Sequence, residues 1–263
     1  MKVIQKPEVS LISKPSLDWD AIQQYLEAVG GLSWFDREVW NESSDAEALV
    51  EFAGRGCYRS WEPGLNPNVT RVRTDSEQYL GNILSTRHGS VLEHAQFSFV
   101  FSGVSRVFTH ELVRHRAGTA ISQESMRYVR LDDIPFWFPD WAHEDDELMV
   151  RSMKLLEVME EHQKWMAEHF ELDNEGVPFS EKKHKTSFMR RFAPDGVGTM
   201  LTWSANIRTL RFVIELRTAK SAEEEIRLVF DNVAQIMKKE APFLFQDFER
   251  NEDGEWISKS WKA

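Results

Sequence analysis

The stretch that decides the fold is Ala95-Gln96-Phe97-Ser98-Phe99-Val100-Phe101-Ser102-Gly103-Val104-Ser105-Arg106-Val107-Phe108-Thr109-His110-Glu111-Leu112-Val113-Arg114-His115-Arg116. Ala95, Phe97, Phe99 and Phe101 alternate with Gln96, Ser98, Val100 and Ser102, the period of a strand with one apolar face. Gly103 is expected to end that strand. Ser105 then suits a helix N-cap, and Val107, Phe108, Leu112 and Val113 follow helical spacing. The local expectation is a strand feeding a helix that ends in Arg114-His115-Arg116.

Upstream, the first 45 residues read as irregular apart from one helix between the Ser16 region and Gly30-Gly31, with Leu17, Ile22, Tyr25 and Leu26 on its apolar side. Helices are expected at Ala46 to Tyr58 and Ser76 to Ser85, separated by the breakers Pro63, Gly64 and Pro67. Downstream, Pro135 to Pro139 is a loop, and Glu144 to Leu172 is a long acid-led helix. Ser204 to Leu216 and the stretch from Ser221 onward read as two more helices, Ser221 with Glu224 matching a capping box and Pro242 closing the last. The fold class expected is α/β of the α+β type, an antiparallel or mixed sheet flanked by helices. Residues 1–263 are read as one domain, with 1–45 as an N-terminal extension.

The chain has 263 residues, 41% of them hydrophobic, with 17 Phe and 10 Trp, which suits a compact globular core rather than disorder. Its 32 Lys+Arg against 43 Asp+Glu leave a formal charge of −11, which argues against a nucleic-acid binder. Apolar runs fall well short of the ~18 residues of a membrane span, and Met1 to Pro7 lacks a signal-peptide core. With one cysteine, Cys57, a disulfide framework is excluded and a cytoplasmic location is expected.

No G-x-G-x-x-G follows the strand, so no Rossmann domain is expected, and the P-loop and nucleophile-elbow patterns are also absent. His110-Glu111 with His115 approaches a zinc helix but misses it. The two histidines are five apart, roughly 140° around a helix where a metal needs about 40°. No metal is expected, and a metal-dependent hydrolase is the weakest reading. Cys57 lacks a nearby histidine and is expected to be a buried, inert thiol.

From Arg114 to Tyr128 the sequence packs three arginines, two serines and a histidine into fifteen residues. Guanidinium forks and hydroxyls grip phosphate well. A surface loop paired with the surplus carboxylates is the alternative, and composition alone leaves both open.

The run Arg114-His115-Arg116, a spacer, Ser125 and then Arg127-Tyr128 resembles the signature of the flavin-dependent thymidylate synthases. His88-Gly89-Ser90 with Glu93-His94, Arg55-x-Cys57-Tyr58-x-Ser60, Arg190-x-x-x-Pro194, and Asn206-x-Arg208 through Glu215-Leu216-Arg217 are similar to further elements of that family, in order, across residues 46 to 248.

The resemblance implies a homotetrameric methyltransferase with its own α/β fold, making dTMP from dUMP. FAD would be its cofactor, 5,10-methylenetetrahydrofolate its carbon donor and NADPH its reductant. FAD contacts would come from Ser90, Arg114, His115, Arg116, Gln123, Asn206, Arg208 and Phe212. The nucleotide would be held by Glu111, Arg114, Gln123, Glu124, Ser125, Arg127, Arg190 and Arg217. His88 matches a histidine at the folate and flavin entrance. Arg217 matches the arginine assigned to the uracil ring, where a permanent cation would stabilise developing negative charge. Its alternative is a salt bridge to one of Glu223 to Glu225. Hydride transfer from flavin would make a cysteine nucleophile unnecessary.

Three departures stand out. The spacer between Arg116 and Ser125 holds eight residues, one more than the family's, so the loop is expected to bulge and displace Ser122, Gln123 and Glu124. Glu111 replaces the usual glutamine, placing a carboxylate near an anionic nucleotide. Phe212 stands where a polar residue is common. UMP in place of dUMP, and a non-catalytic nucleotide-binding homologue, are the alternative functions.

Overall fold

The computed structural model describes residues 3–4, 6–36, 43–131 and 133–260. The N-terminal part contains strands β1 (Val3–Ile4) and β2 (Glu8–Ser13) and helices α1 (Trp19–Val29), α2 (Leu32–Phe35), α3 (Asp45–Tyr58) and α4 (Ser76–Ser85). The central part holds strand β3 (Gln96–Ser105), helix α5 (Arg106–Leu112), strands β4 (Thr119–Gln123) and β5 (Phe136–Trp137), and helices α6 (Asp146–His169) and α7 (Phe179–Met189). Strand β6 (Gly198–Asn206), helices α8 (Ile207–Thr218) and α9 (Glu224–Glu240), and the hairpin β7 (Phe248–Arg250) and β8 (Trp256–Ser258) complete the order.

Strands β2, β3, β6 and β4, in that order, form an antiparallel sheet. The alternation read in β3 decides which face is covered. Phe97, Phe99 and Phe101 are buried with Trp203 of β6, Phe108 of α5 and Phe230 of α9 in one aromatic core. Each such side chain stabilises the fold by about 1.5–3 kcal/mol on burial. Leu210, Val213 and Ile214 of α8 and Ile226, Val229 and Val233 of α9 complete that core. On the opposite face Ser98 and Ser204 share a hydrogen bond of 2.8 Å between neighbouring strands.

Several expectations need correction. Gly103 does not end β3: at φ +70° it sits at a register shift between Ser102 and Val104, a bulge that bends the strand and lets it run on to Ser105. Residues 204–206 belong to β6 rather than to a helix, because pairing with β3 on one side and β4 on the other satisfies their backbone. The region read as irregular contains β2, an edge strand held by β3. The long helix is shorter than expected, Asp146–His169, and the last helix is capped by Glu223 rather than Ser221. The Ser105 cap is as expected, its hydroxyl accepting from Phe108 N–H at 3.1 Å. Helix α5 stops at Leu112, which leaves Arg114-His115-Arg116 in the turn beyond it. No helix among the described residues is long and apolar enough to cross a membrane.

Candidate active site

The turn from Arg114 to Gly118 is locked onto the N-terminus of α8. Asn206 caps that helix, its Oδ1 accepting from Thr209 N–H at 2.9 Å, while its own N–H donates to the Gly118 carbonyl at 3.2 Å. The Thr209 hydroxyl donates to the Ala117 carbonyl at 2.8 Å, and the Thr119 hydroxyl to that of His115 at 2.9 Å. Gly118 is required here. Its φ is +68°, and a Cβ would lie 2.4 Å from Asn206 Nδ2 and 2.5 Å from Thr209 Oγ1.

This packing leaves a cavity of about 600 Å³ lined by Arg114, His115, Arg116, Asn206, Arg208 and Phe212, together with Glu93, Gly118 and Thr209. Six residues assigned to the flavin from sequence thus come together. Glu93, the carboxylate in the lining, is paired with Arg208 at 2.5 Å. A helix N-terminus and two further arginines then face the cavity, the arrangement that favours a phosphate or diphosphate.

Arg217, in the last turn of α8, stands directly behind His115. Its Nε donates to His115 Nε2 at 2.7 Å, Nη1 to Glu111 Oε2 at 2.7 Å and Nη2 to the Glu111 carbonyl at 3.1 Å. The expected alternative partner, one of Glu223 to Glu225, is therefore replaced by Glu111. Glu223 instead caps α9, and Glu225 accepts from Ser105 N–H and its hydroxyl. Burial first, then the charges of Arg217 and Arg114, push the His115 imidazole down to about 4. His115 is neutral near pH 7 and serves as an acceptor. The Glu111 carboxylate is neutralised by its ion pair with Arg217. Glu111 Oε2 and His115 Nε2, two of the atoms a zinc helix would use, are instead engaged by the Arg217 guanidinium.

A second cluster lies at the other end of β4. That five-residue strand keeps continuous register with β6 from Thr119↔Ala205 to Gln123↔Leu201, and Glu124 N–H continues it to Met200 O, so the expected bulge does not fall within the strand. Gln123 donates to the Thr109 hydroxyl at 3.2 Å, and the Ser125 hydroxyl accepts from Arg127 N–H at 3.3 Å. Among the described residues, neither buried Arg127 Nε nor buried Arg106 Nη1 has a hydrogen-bond partner. Burial, and secondarily the like charge of Arg190, hold the Arg106 guanidinium below its ordinary value. Arg106 and Glu124 line a pocket of about 160 Å³. Sequence reading missed Arg106, since one arginine in the first turn of a helix resembles any solvated charge.

The two clusters are separated by the length of β4, about 16 Å at the usual rise. Ser90 sits in the 3-10 segment Gly89–Glu93, exposed, and neither it nor Gln123 lines the 600 Å³ cavity. His88 lies beside Tyr58, ring centroids 5.8 Å apart. Cys57 is exposed rather than buried, because it falls on the outward face of α3.

Residues 38–243 match the family described as thymidylate synthase complementing protein. The chain belongs to that family. Among members of the family, the flavin-dependent thymidylate synthase of Mycobacteroides abscessus is 34% identical over 213 residues, covering 80% of this chain and 83% of that protein. The flavin-dependent thymidylate synthase of Corynebacterium aurimucosum is 32% identical over 221 residues, covering 83% and 85%. The UMP/dUMP methylase PolB of Streptomyces cacaoi, solved with 5-Br UMP, shares the fold at a TM-score of 0.63 and 15% identity, over 93% of this chain and 94% of that one. The chain is thus an enzyme of the flavin-dependent thymidylate synthase family, the one its Arg-His-Arg signature resembles.

Proposed function

We propose that the protein converts dUMP to dTMP, with FAD as cofactor, 5,10-methylenetetrahydrofolate as carbon donor and NADPH as reductant. The observation that carries this reading is the cavity in which Arg114, His115, Arg116, Asn206 and Arg208 converge on the N-terminus of α8. Those residues hold the flavin diphosphate, and Phe212 offers an apolar wall. Ser90 and Gln123 join the flavin site, and His88 its entrance, on the strength of the family resemblance. When bound, the flavin supplies hydride to the pyrimidine ring.

The chain's own residues supply binding and electrostatics. Arg127, Arg190 and Arg106 bind the nucleotide phosphate, the two orphaned buried N–H groups being the ones a phosphate oxygen would satisfy. Gln123, Glu124 and Ser125 orient the sugar and base. Arg114 lies between cofactor and nucleotide. Arg217 is the catalytic residue, stabilising negative charge on the ring, and Glu111 and His115 fix its guanidinium before substrate arrives. With flavin and phosphate clusters at opposite ends of β4, a complete site needs one cluster from each of two copies. A homotetramer in the cytoplasm meets that need.

Absorbance of the purified protein, titrated with dUMP and separately with UMP, tests the reading. A yellow tetramer whose flavin spectrum responds to dUMP is expected. A folded, flavin-free monomer overturns it, and a response to UMP alone reassigns the substrate.

A further inference from the structure

A larger cavity, of about 790 Å³, has His88 in its lining, while Glu93 lines the site described above. The Gly89–Glu93 segment between them spans about 10 Å at the usual 3-10 rise. The cavity is built by the loop from Ser60 to Arg73, and Arg55 clamps both ends of that loop. Arg55 Nη1 donates to the Ser60 carbonyl at 2.9 Å and Nη2 to the Arg73 carbonyl at 2.7 Å. Its charge is cancelled by Glu51 at 2.7 Å, both side chains being buried. Arg55 is therefore a fixed strut.

The clamp places Arg71, Arg73 and Arg87 around the cavity with His88. Among the described residues these three guanidinium groups form no hydrogen bond or ion pair. Among the described residues no Asp or Glu lines the cavity, in a chain with 43 acidic against 32 basic residues. The other polar lining groups, Asn66, Asn68 and Thr70 among them, carry no charge.

Arg87 adds an independent observation. It lies just past α4, where His88 N–H closes onto the Ile83 carbonyl at 3.0 Å, and its φ is +58°. Glycine ordinarily fills such a helix-terminating position, because a side chain there is sterically disfavoured. An arginine held in the left-handed region, lining the cavity beside two more unpaired arginines, points to a ligand.

We propose that this cavity binds the multiply anionic end of a cosubstrate, either the glutamate carboxylates of the folate or the 2′-phosphate of the reduced dinucleotide. Naming these two sources rests on the function proposed above. The cationic site itself does not.

The test uses the full-length protein and its Arg71→Gln/Arg73→Gln variant. Calorimetric titration with inorganic tripolyphosphate probes the cavity whatever the reaction is, and about tenfold weaker binding in the variant is expected. Equal binding by both proteins overturns the proposal. Quenching of tryptophan fluorescence by tetrahydrofolate monoglutamate and triglutamate, and by NADPH and NADH, then separates the sources. Loss of the triglutamate preference assigns the folate, loss of the NADPH preference assigns the dinucleotide, and unchanged binding of all four overturns the cosubstrate assignment. The flavin response to dUMP serves as the control, since its absence from both proteins counts against the proposed function alone. Arg87→Gly provides a second variant: it should bind tripolyphosphate more weakly with no loss of thermal stability, whereas lower stability with unchanged binding would show a purely structural residue.

Discussion

Replacing Arg217 with alanine removes the bonds to His115 Nε2, to the Glu111 carboxylate and to the Glu111 carbonyl together. The ion pair is partly buried, its Arg and Glu side chains 17% and 32% exposed, so stability should fall by about 1–3 kcal/mol. For a chain of this size that lowers Tm by roughly 2–10 °C. A domain stable by about 5–15 kcal/mol stays almost wholly folded at 25 °C after such a loss, so unfolding cannot account for a large fall in turnover. The catalytic assignment demands about a hundred- to a thousandfold loss, the cost of deleting one preorganised donor. Single-turnover oxidation of reduced flavin with nucleotide and folate bound, normalised to flavin content, separates the two effects. Arg217→Lys should recover only part of the rate, since one ammonium cannot reproduce the fork between His115 and Glu111. The His115 ring gives an internal check by NMR. Burial chiefly, then Arg217, holds its pKa to about 4, so the alanine variant should titrate higher. In the wild type the unfolded chain takes up this proton first as pH falls from about 6.5 towards 4, so that stability is lost across the window, and less of it is lost in the variant. Lower Tm with a near-wild-type rate per flavin-loaded subunit would refute the catalytic role and leave Arg217 as a clamp.

Gly118→Ala places a Cβ against the Asn206 cap at 2.4 Å in a left-handed backbone, and should cost about 2–4 kcal/mol and release flavin, read by melting and absorbance. Retention of both would show that the turn can shift. Arg106→Ala and Arg127→Ala should each weaken dUMP about tenfold while flavin stays bound, and an unchanged titration removes them from the phosphate site. Glu225 is pushed up to about 7, chiefly by burial. Folded protein therefore binds more protons than unfolded between about pH 4.5 and 7, and stability should decline as pH rises through that window. Glu225→Gln should flatten the decline in urea unfolding, and a persisting slope would assign it elsewhere. Cys57→Ala, altering an exposed side chain, should leave turnover intact, and abolished turnover with flavin bound would require thiol chemistry.

Much of the fold and site was legible in the chain alone. The Phe97-Phe99-Phe101 alternation, the Ser105 cap and the Arg-His-Arg signature are local patterns, set by side-chain period and by hydrogen bonds a few residues long; the strand and the cap formed as expected, while the strand ran on past Gly103 and Arg114-His115-Arg116 fell in the turn after α5 rather than at its end. Strand β6 was not legible, because Gly198–Asn206 is a strand by virtue of two neighbours, β3 and β4, that lie far away in sequence. The partner of Arg217 was equally hidden. Three glutamates lie close after it in sequence, yet the one it binds, Glu111, is 106 positions away, brought there by the packing of α5 and α8 around the His115 turn. Arg106 became distinctive only when folding buried its Nη1 without a partner. Periodicity and motif order report what neighbouring residues do to the backbone; which charges meet, and which are left unpaired, depends on contacts between distant segments, and only the tertiary structure decided those.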